Sequence, residues 1–130
     1  MNILFLCVAN SARSQMAEGL AKSMLGKNHN IQSAGSTPSG EVHINAVIAM
    51  DDIGIDIRDQ HSKSTEDLDK EFLDNLDYAI TLCAEEVCPI LPSNAESLHW
   101  MNEDPANDSY SEKQLKASFS NTRDNLFKLI

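Results

Sequence analysis

The stretch from Ile3 to Ser14 constrains the fold more than any other part of the chain. An apolar run, Ile3-Leu4-Phe5-Leu6, leads straight into Cys7; Val8-Ala9-Asn10-Ser11-Ala12 follow, then Arg13, and a helix-like pattern opens at Ser14. A strand that passes through a tight loop into a helix builds a cradle for a tetrahedral oxyanion. Loop N–H groups converge on the anion, and the helix N-terminus adds its positive end. The same field stabilises a thiolate, which makes Cys7 the candidate nucleophile. Arg13 brings a planar fork that can grip two oxygens at once. Ser14 stands where its hydroxyl can donate to the sulfur. Taken singly, a cysteine at a strand end is a small hydrophobe and an arginine six residues on is a surface charge. The order strand, cysteine, loop, arginine, helix is what gives them a joint meaning.

The remaining pattern alternates. Ser14 to Leu25 carries Met16, Leu20 and Met24 at helical spacing, with Ala17, Ala21 and Leu25 beside them, and Gly26 as a stop. A short strand is expected over Asn30–Ala34, then a loop from Gly35 to Gly40. Val42, Ala46, Ala49, Met50 and Ile53 predict a second helix closed by Gly54, followed by a short extended piece, Ile55-Asp56-Ile57. Ser64 with Asp67 predicts the capped start of a third helix toward Leu76. Tyr78 to Leu82 reads as a buried strand that also ends on a cysteine, Cys83. Pro89 and Pro92 mark a loop, Leu98-His99-Trp100 a last strand, and Leu115, Phe119, Thr122, Leu126 and Ile130 the stripe of a C-terminal helix. Strands alternating with helices imply an α/β fold: a parallel sheet covered on both faces, with ligands at the carboxyl ends of its strands. Cys7, Cys83 and Asp104 are all expected at that edge.

The 130 residues, 42% of them hydrophobic, read as one domain, residues 1–130, with room for a core. A formal net charge of −10 argues against nucleic acid and anionic membrane surfaces as partners. An anionic substrate must then be drawn by a local positive field. The apolar start lacks a basic n-region, no stretch is long enough to cross a bilayer, and three cysteines cannot all pair in one chain. A reducing cytoplasm fits best. The scattered histidines His29, His43, His61 and His99 offer no general base.

Two further constellations could carry chemistry. Asp104, stiffened by Pro105, is the candidate acid for protonating a leaving oxygen, although a loop aspartate starting a turn is the commoner role. Cys83-Ala84-Glu85-Glu86-Val87-Cys88 admits several readings. As a zinc half-site it lacks a second ligand pair, so no metal is expected. Two inert thiols remain open, and so does a redox pair. A helix would separate the two Cα atoms by about 7.5 Å along its axis, beyond the roughly 7 Å reach of a disulfide. A redox function therefore requires a loop there, or one that unwinds.

The run Cys7 to Gly19 resembles the thioredoxin-coupled arsenate reductases that share the low-molecular-weight tyrosine phosphatase fold. Ser33-Ala34-Gly35, Thr81-Leu82-Cys83, Cys88-Pro89-Ile90-Leu91-Pro92, His99-Trp100 and Asp104-Pro105 extend the resemblance over nearly the whole chain. It implies a single three-layer domain with a four-stranded parallel sheet and helices on both faces. It also implies that Cys7 attacks arsenate, that Val8 to Ser14 with Arg13 hold the oxyanion, and that Asp104 assists the leaving group. Cys83 would then attack Cys7 to release arsenite, and Cys88 would take over the disulfide and present it to thioredoxin. Asn10 would brace the loop and Ser14 would stabilise the thiolate. Phosphate or sulfate should compete for the loop, and a monomer is expected.

Three positions depart from the family pattern. Ala12 stands where some members carry another cysteine, and the Cys83 to Cys88 interval is two residues shorter than in others. Members with a potassium site use the counterparts of Asn10, Glu18 and Ser33 plus an aspartate, whose place is held here by Lys63. No tightly bound cofactor is expected, and no potassium. Two other classes stay open. One is a protein tyrosine or small-molecule phosphatase using Cys7, Arg13 and Asp104. The other is a phosphocysteine carrier like the IIB domains of sugar-uptake systems, which needs no acid.

Overall fold

Alternation within the first strand sets the architecture. In β1, Asn2–Cys7, Ile3 and Phe5 point into the larger of two hydrophobic clusters, while Leu4 and Leu6 point into the smaller. A strand buried on both sides belongs in the middle of a parallel sheet. That is where β1 lies in this computed structural model, which describes residues 1–26, 28–83, 95–107 and 109–130. Among the described residues β2, Asn30–Gly35, β3, Tyr78–Thr81, and β4, Glu96–His99, complete a four-stranded sheet of order β2-β1-β3-β4, every pair parallel.

Helices cover both faces unequally. α1, Arg13–Leu25, α2, Ile44–Asp51, and α4, Glu112–Leu129, pack Met16, Leu20, Ala46, Met50, Phe119 and Leu126 against Ile3, Phe5 and Ile80. The other face is covered by α3, Lys70–Asp74, whose Phe72 packs with Leu68 and Leu76 on Leu4, Leu6 and Ala79. The three-layer α/β arrangement expected from the pattern is present. None of the described helices is long and apolar enough to cross a membrane.

Four details differ from the sequence reading. The third helix is split: the Ser64 capping box starts only a 3-10 turn, Thr65–Asp67, after which Leu68 is extended. Asp69 then caps a second start by accepting from the Glu71 N–H. Two capping side chains five residues apart compete for one helix, and burying Leu68 in the smaller cluster favours the break. The apolar stripe of α1 ends early, since Met24 and Leu25 are exposed. The second helix is shorter than its apolar spacing suggests, starting only at Ile44, where His43 caps it. The last strand begins two residues before Leu98 and ends at His99.

The chain moves from β1 outward to β2 on one side, and β3 then docks on the other. This switch in direction opens a crevice at the carboxyl end of β1. Cys7 ends that strand, and the loop to α1 lies over it.

Candidate active site

The loop is shaped by where its carbonyls go. Val8 O accepts from Thr37 N (3.0 Å), Ala9 O from Ser39 N (2.9 Å), Ser11 O from His43 N (2.8 Å) and Ala12 O from Met16 N (2.9 Å). Asn10 O accepts from Gln15 Nε2 at 3.0 Å. Each carbonyl from Val8 to Ala12 is thus turned outward and bonded. The N–H of Asn10 faces inward, 3.2 Å from Cys7 Sγ. Asn10 has φ 49°, a left-handed conformation that asparagine tolerates better than most residues. Gly35, paired with Cys7 across β1 and β2, permits the close approach: a Cβ there would stand 2.3 Å from Val8 O.

Ala12 occupies the N-cap of α1 and has no side chain to cap it, and the first turn holds no acidic residue. The positive end of the helix therefore keeps its donors for an anion. Arg13 is 4% exposed, and its Nη1 donates to Asn102 O at 2.9 Å. This ties the guanidinium to the segment after β4 and limits its swing. Asn102 is held in turn by its own Nδ2, which donates to Trp100 O at 3.0 Å.

Behind the loop runs a directed chain of hydrogen bonds. Asn10 Oδ1 accepts from the backbone N–H of Lys63 (2.8 Å) and from Gln15 Nε2 (3.0 Å). A backbone N–H can only donate, so this contact fixes which way the amide faces. Asn10 Nδ2 then donates to Ser14 Oγ at 2.8 Å and to Ser33 Oγ at 3.0 Å. Ser14 Oγ lies 2.8 Å from Cys7 Sγ, and with the sulfur as thiolate the hydroxyl is the donor. Ser33 donates the other way, to Glu18 Oε1 at 2.7 Å. Glu18 also meets Lys22 at 2.6 Å and Lys63 at 4.0 Å. Burial pushes the Lys63 ammonium below its ordinary value, opposed by the negative charge of Glu18.

The structure joins Cys7, Asn10 and Ser14 in one hydrogen-bond network, and Arg13 opens the helix that carries Ser14. Cys83 is buried two residues past β3, the strand that adjoins β1. Leu82 N donates to Leu6 O at 2.9 Å, so the two chains leave the sheet side by side toward Cys7 and Cys83. Cys7 is a free cysteine and Cys83 is disulfide-bonded. Cys88, with the rest of 84–94, lies outside the described residues. Asp104 sits two residues beyond the Arg13 anchor, but its Oδ1 accepts from Ala106 N at 3.0 Å, a turn closed on itself. It lines a polar cavity with Tyr110, Thr122 and Asn125.

Sequence reasoning missed Gln15, Gln60 and Asn102. Gln60 Nε2 donates to Gln15 O and to Gln15 Oε1, both at 2.9 Å, bracing the residue that braces Asn10. No spacing signals such residues, because every residue from Arg13 to Ala21 is buried whatever its polarity. Among the described residues no cluster of three or more His, Cys, Asp or Glu side chains is placed to hold a metal.

Comparison with known proteins accords with this geometry. Residues 2–126 match the family model of the low molecular weight phosphotyrosine protein phosphatase. An arsenate reductase of Halalkalibacterium halodurans is 45% identical over 130 residues, covering 98% of this chain and 91% of the relative. A solved arsenate reductase in the phosphate binding state is 30% identical with TM-score 0.72, covering 98% of this chain and 91% of that one. The thioredoxin-dependent arsenate reductase of Corynebacterium glutamicum is 27% identical with TM-score 0.69, over 98% of this chain and 58% of that one. A cysteine-bearing loop at the switch point of a four-stranded parallel sheet, and sequence matched almost end to end, have one reading: the chain belongs to the low molecular weight phosphotyrosine protein phosphatase family and within it resembles the arsenate reductases.

Proposed function

We propose that this chain reduces arsenate to arsenite through a three-cysteine relay recharged by thioredoxin. One observation carries the reading beyond a phosphatase: a second cysteine, Cys83, lies at the end of the strand beside the one ending in Cys7. Hydrolysis has no use for it. In the relay, Cys7 Sγ bonds to arsenic while an As–O bond breaks, and Asp104 gives the departing oxygen its proton. Cys83 thiolate then attacks Cys7 Sγ. The S–S bond forms, the S–As pair passes to arsenic, and As(V) leaves as As(III). The two electrons come from the two thiolates. Cys88 next attacks Cys83, freeing Cys7, and the dithiol of thioredoxin reduces the resulting disulfide. The relay needs no second copy of the chain and suits a reducing cytoplasm.

The test is arsenite formation with thioredoxin, thioredoxin reductase and NADPH, against the same mixture without thioredoxin. Turnover should require the complete system. Phosphate release from p-nitrophenyl phosphate with no arsenite under any reductant would reject the proposal. A phosphatase activity beside the reduction is the second reading, favoured by Tyr110, which shares the Asp104 cavity and offers an aromatic face.

Phosphate, sulfate and arsenate should compete at the loop. Arg13→Lys keeps the charge but loses the fork, and its flexible stem cannot hold both the anion and Asn102 O. Phosphate affinity by calorimetry should fall about tenfold, the worth of one charge-assisted hydrogen bond. Equal affinities in the two proteins would remove Arg13 from the cradle.

A further inference from the structure

A buried carboxylate behind the loop needs positive partners, and two lysines supply them. The Glu18 side chain is 4% exposed, whereas Lys22 is 49% and Lys63 25% exposed. Lys22 reaches Glu18 Oε2 from the solvent side, so Lys63 is the inner cation, 4.0 Å from Oε1. That oxygen is the one that receives the Ser33 hydroxyl. Asp67 also faces Lys63, as a second negative charge.

A potassium ion does not fit here. Lys63 Nζ stands beside Glu18 Oε1, where the ion would have to sit. An ammonium at 4.0 Å from the carboxylate oxygen repels any further cation.

We infer that the Lys63 ammonium takes the place of a monovalent cation, and that it supports from behind the hydrogen-bond chain ending on Cys7, whose direction the Lys63 backbone N–H fixes. With Glu18 ionised and neutralised by Lys22 and Lys63 together, Ser33 donates to it and leaves its own lone pair to Asn10 Nδ2. The amide is then locked, its other N–H occupies Ser14 Oγ, and the Ser14 proton has Cys7 Sγ as its acceptor. Lys63 acts twice, once through its backbone N–H on Asn10 and once through its ammonium on Glu18. It is a positioning residue: it touches neither substrate nor sulfur. The inference concerns Cys7 whichever oxyanion the loop takes, so its test does not depend on arsenate reduction.

The experiment compares wild type with Lys63→Met in potassium chloride and in choline chloride at equal ionic strength. It reads thermal unfolding and the pH profile of Cys7 alkylation by iodoacetamide, mapped by mass spectrometry. Wild type should give the same unfolding midpoint and the same profile in both salts. In choline, Lys63→Met should melt lower and alkylate about tenfold more slowly below neutrality, as expected when a hydrogen bond to a charged group is lost. Potassium should restore both in a saturable way, because Glu18 then lacks its inner cation and no ammonium repels the ion. A potassium-specific gain in wild type would overturn the inference. So would Lys63→Met behaving as wild type in choline, or a variant that no potassium concentration restores, unfolded or not.

Discussion

Cys83→Ser should abolish arsenate turnover while hydrolysis of p-nitrophenyl phosphate stays within a few-fold of wild type. Hydrolysis asks for a nucleophile, a cradle and a proton donor, and water resolves the phosphocysteine. Reduction must deliver two electrons, and the second thiolate has to approach Cys7 from close by. β3 provides that approach: Leu6 pairs with Thr81 and Leu82 N bonds Leu6 O, so the two chain ends run abreast. Cys88→Ser should stop later, after at most one turnover, with a Cys7–Cys83 disulfide left in place. Peptide mapping of the two arsenate-treated variants distinguishes these stalls, and the retained hydrolysis shows that each variant is folded. If both variants turn over with thioredoxin at the wild-type rate, the relay is wrong and the phosphatase reading replaces it.

Gly35→Ala should cripple the site although Gly35 itself meets no substrate. Its added Cβ would lie 2.3 Å from Val8 O, 2.9 Å from Val8 C and 3.0 Å from Asn10 N. All three neighbours are backbone, so no side chain can swing aside. Either β2 must part from β1 or the loop must rise, and both open the ring of carbonyl contacts that turns the N–H groups inward. We expect a loss of about 3 kcal/mol in urea unfolding, near the top of the range for overpacking a buried site. Phosphate binding should fall below detection by calorimetry. A variant with wild-type midpoint and affinity would show that the loop does not depend on this close approach.

Much of this was legible in the sequence because it rests on period and punctuation. The apolar run Ile3–Leu6 and the apolar stripe of the C-terminal helix are local signals, and each element formed where they stand. The nucleophile loop was legible for the same reason: strand, loop and helix are contiguous. What stayed hidden depends on residues far apart in the chain. Asn102 reaching Arg13 across 89 residues, and Lys63 reaching Asn10 across 53, leave no trace in any window. The broken third helix was missed because two caps of similar strength compete and burial of Leu68 decides between them. Asp104 was legible as a position but not as an orientation, since its turn on Ala106 is a matter of side-chain geometry.

A loop laced to Thr37, Ser39, His43 and Lys63 cannot take shape before those segments arrive. β1 and β2 are separated by the whole of α1, and the partners of the loop lie further still along the chain. Closing such long loops is the slow part of assembling a parallel sheet. Until it is done, Cys7 is an ordinary thiol on an unfinished chain and the anion has nothing to hold. The oxyanion therefore binds the completed fold alone, and by mass action it favours that fold over every looser state. A cell flooded with the anion would hold more of this chain in its finished form, so the toxin itself would help keep its own remover intact.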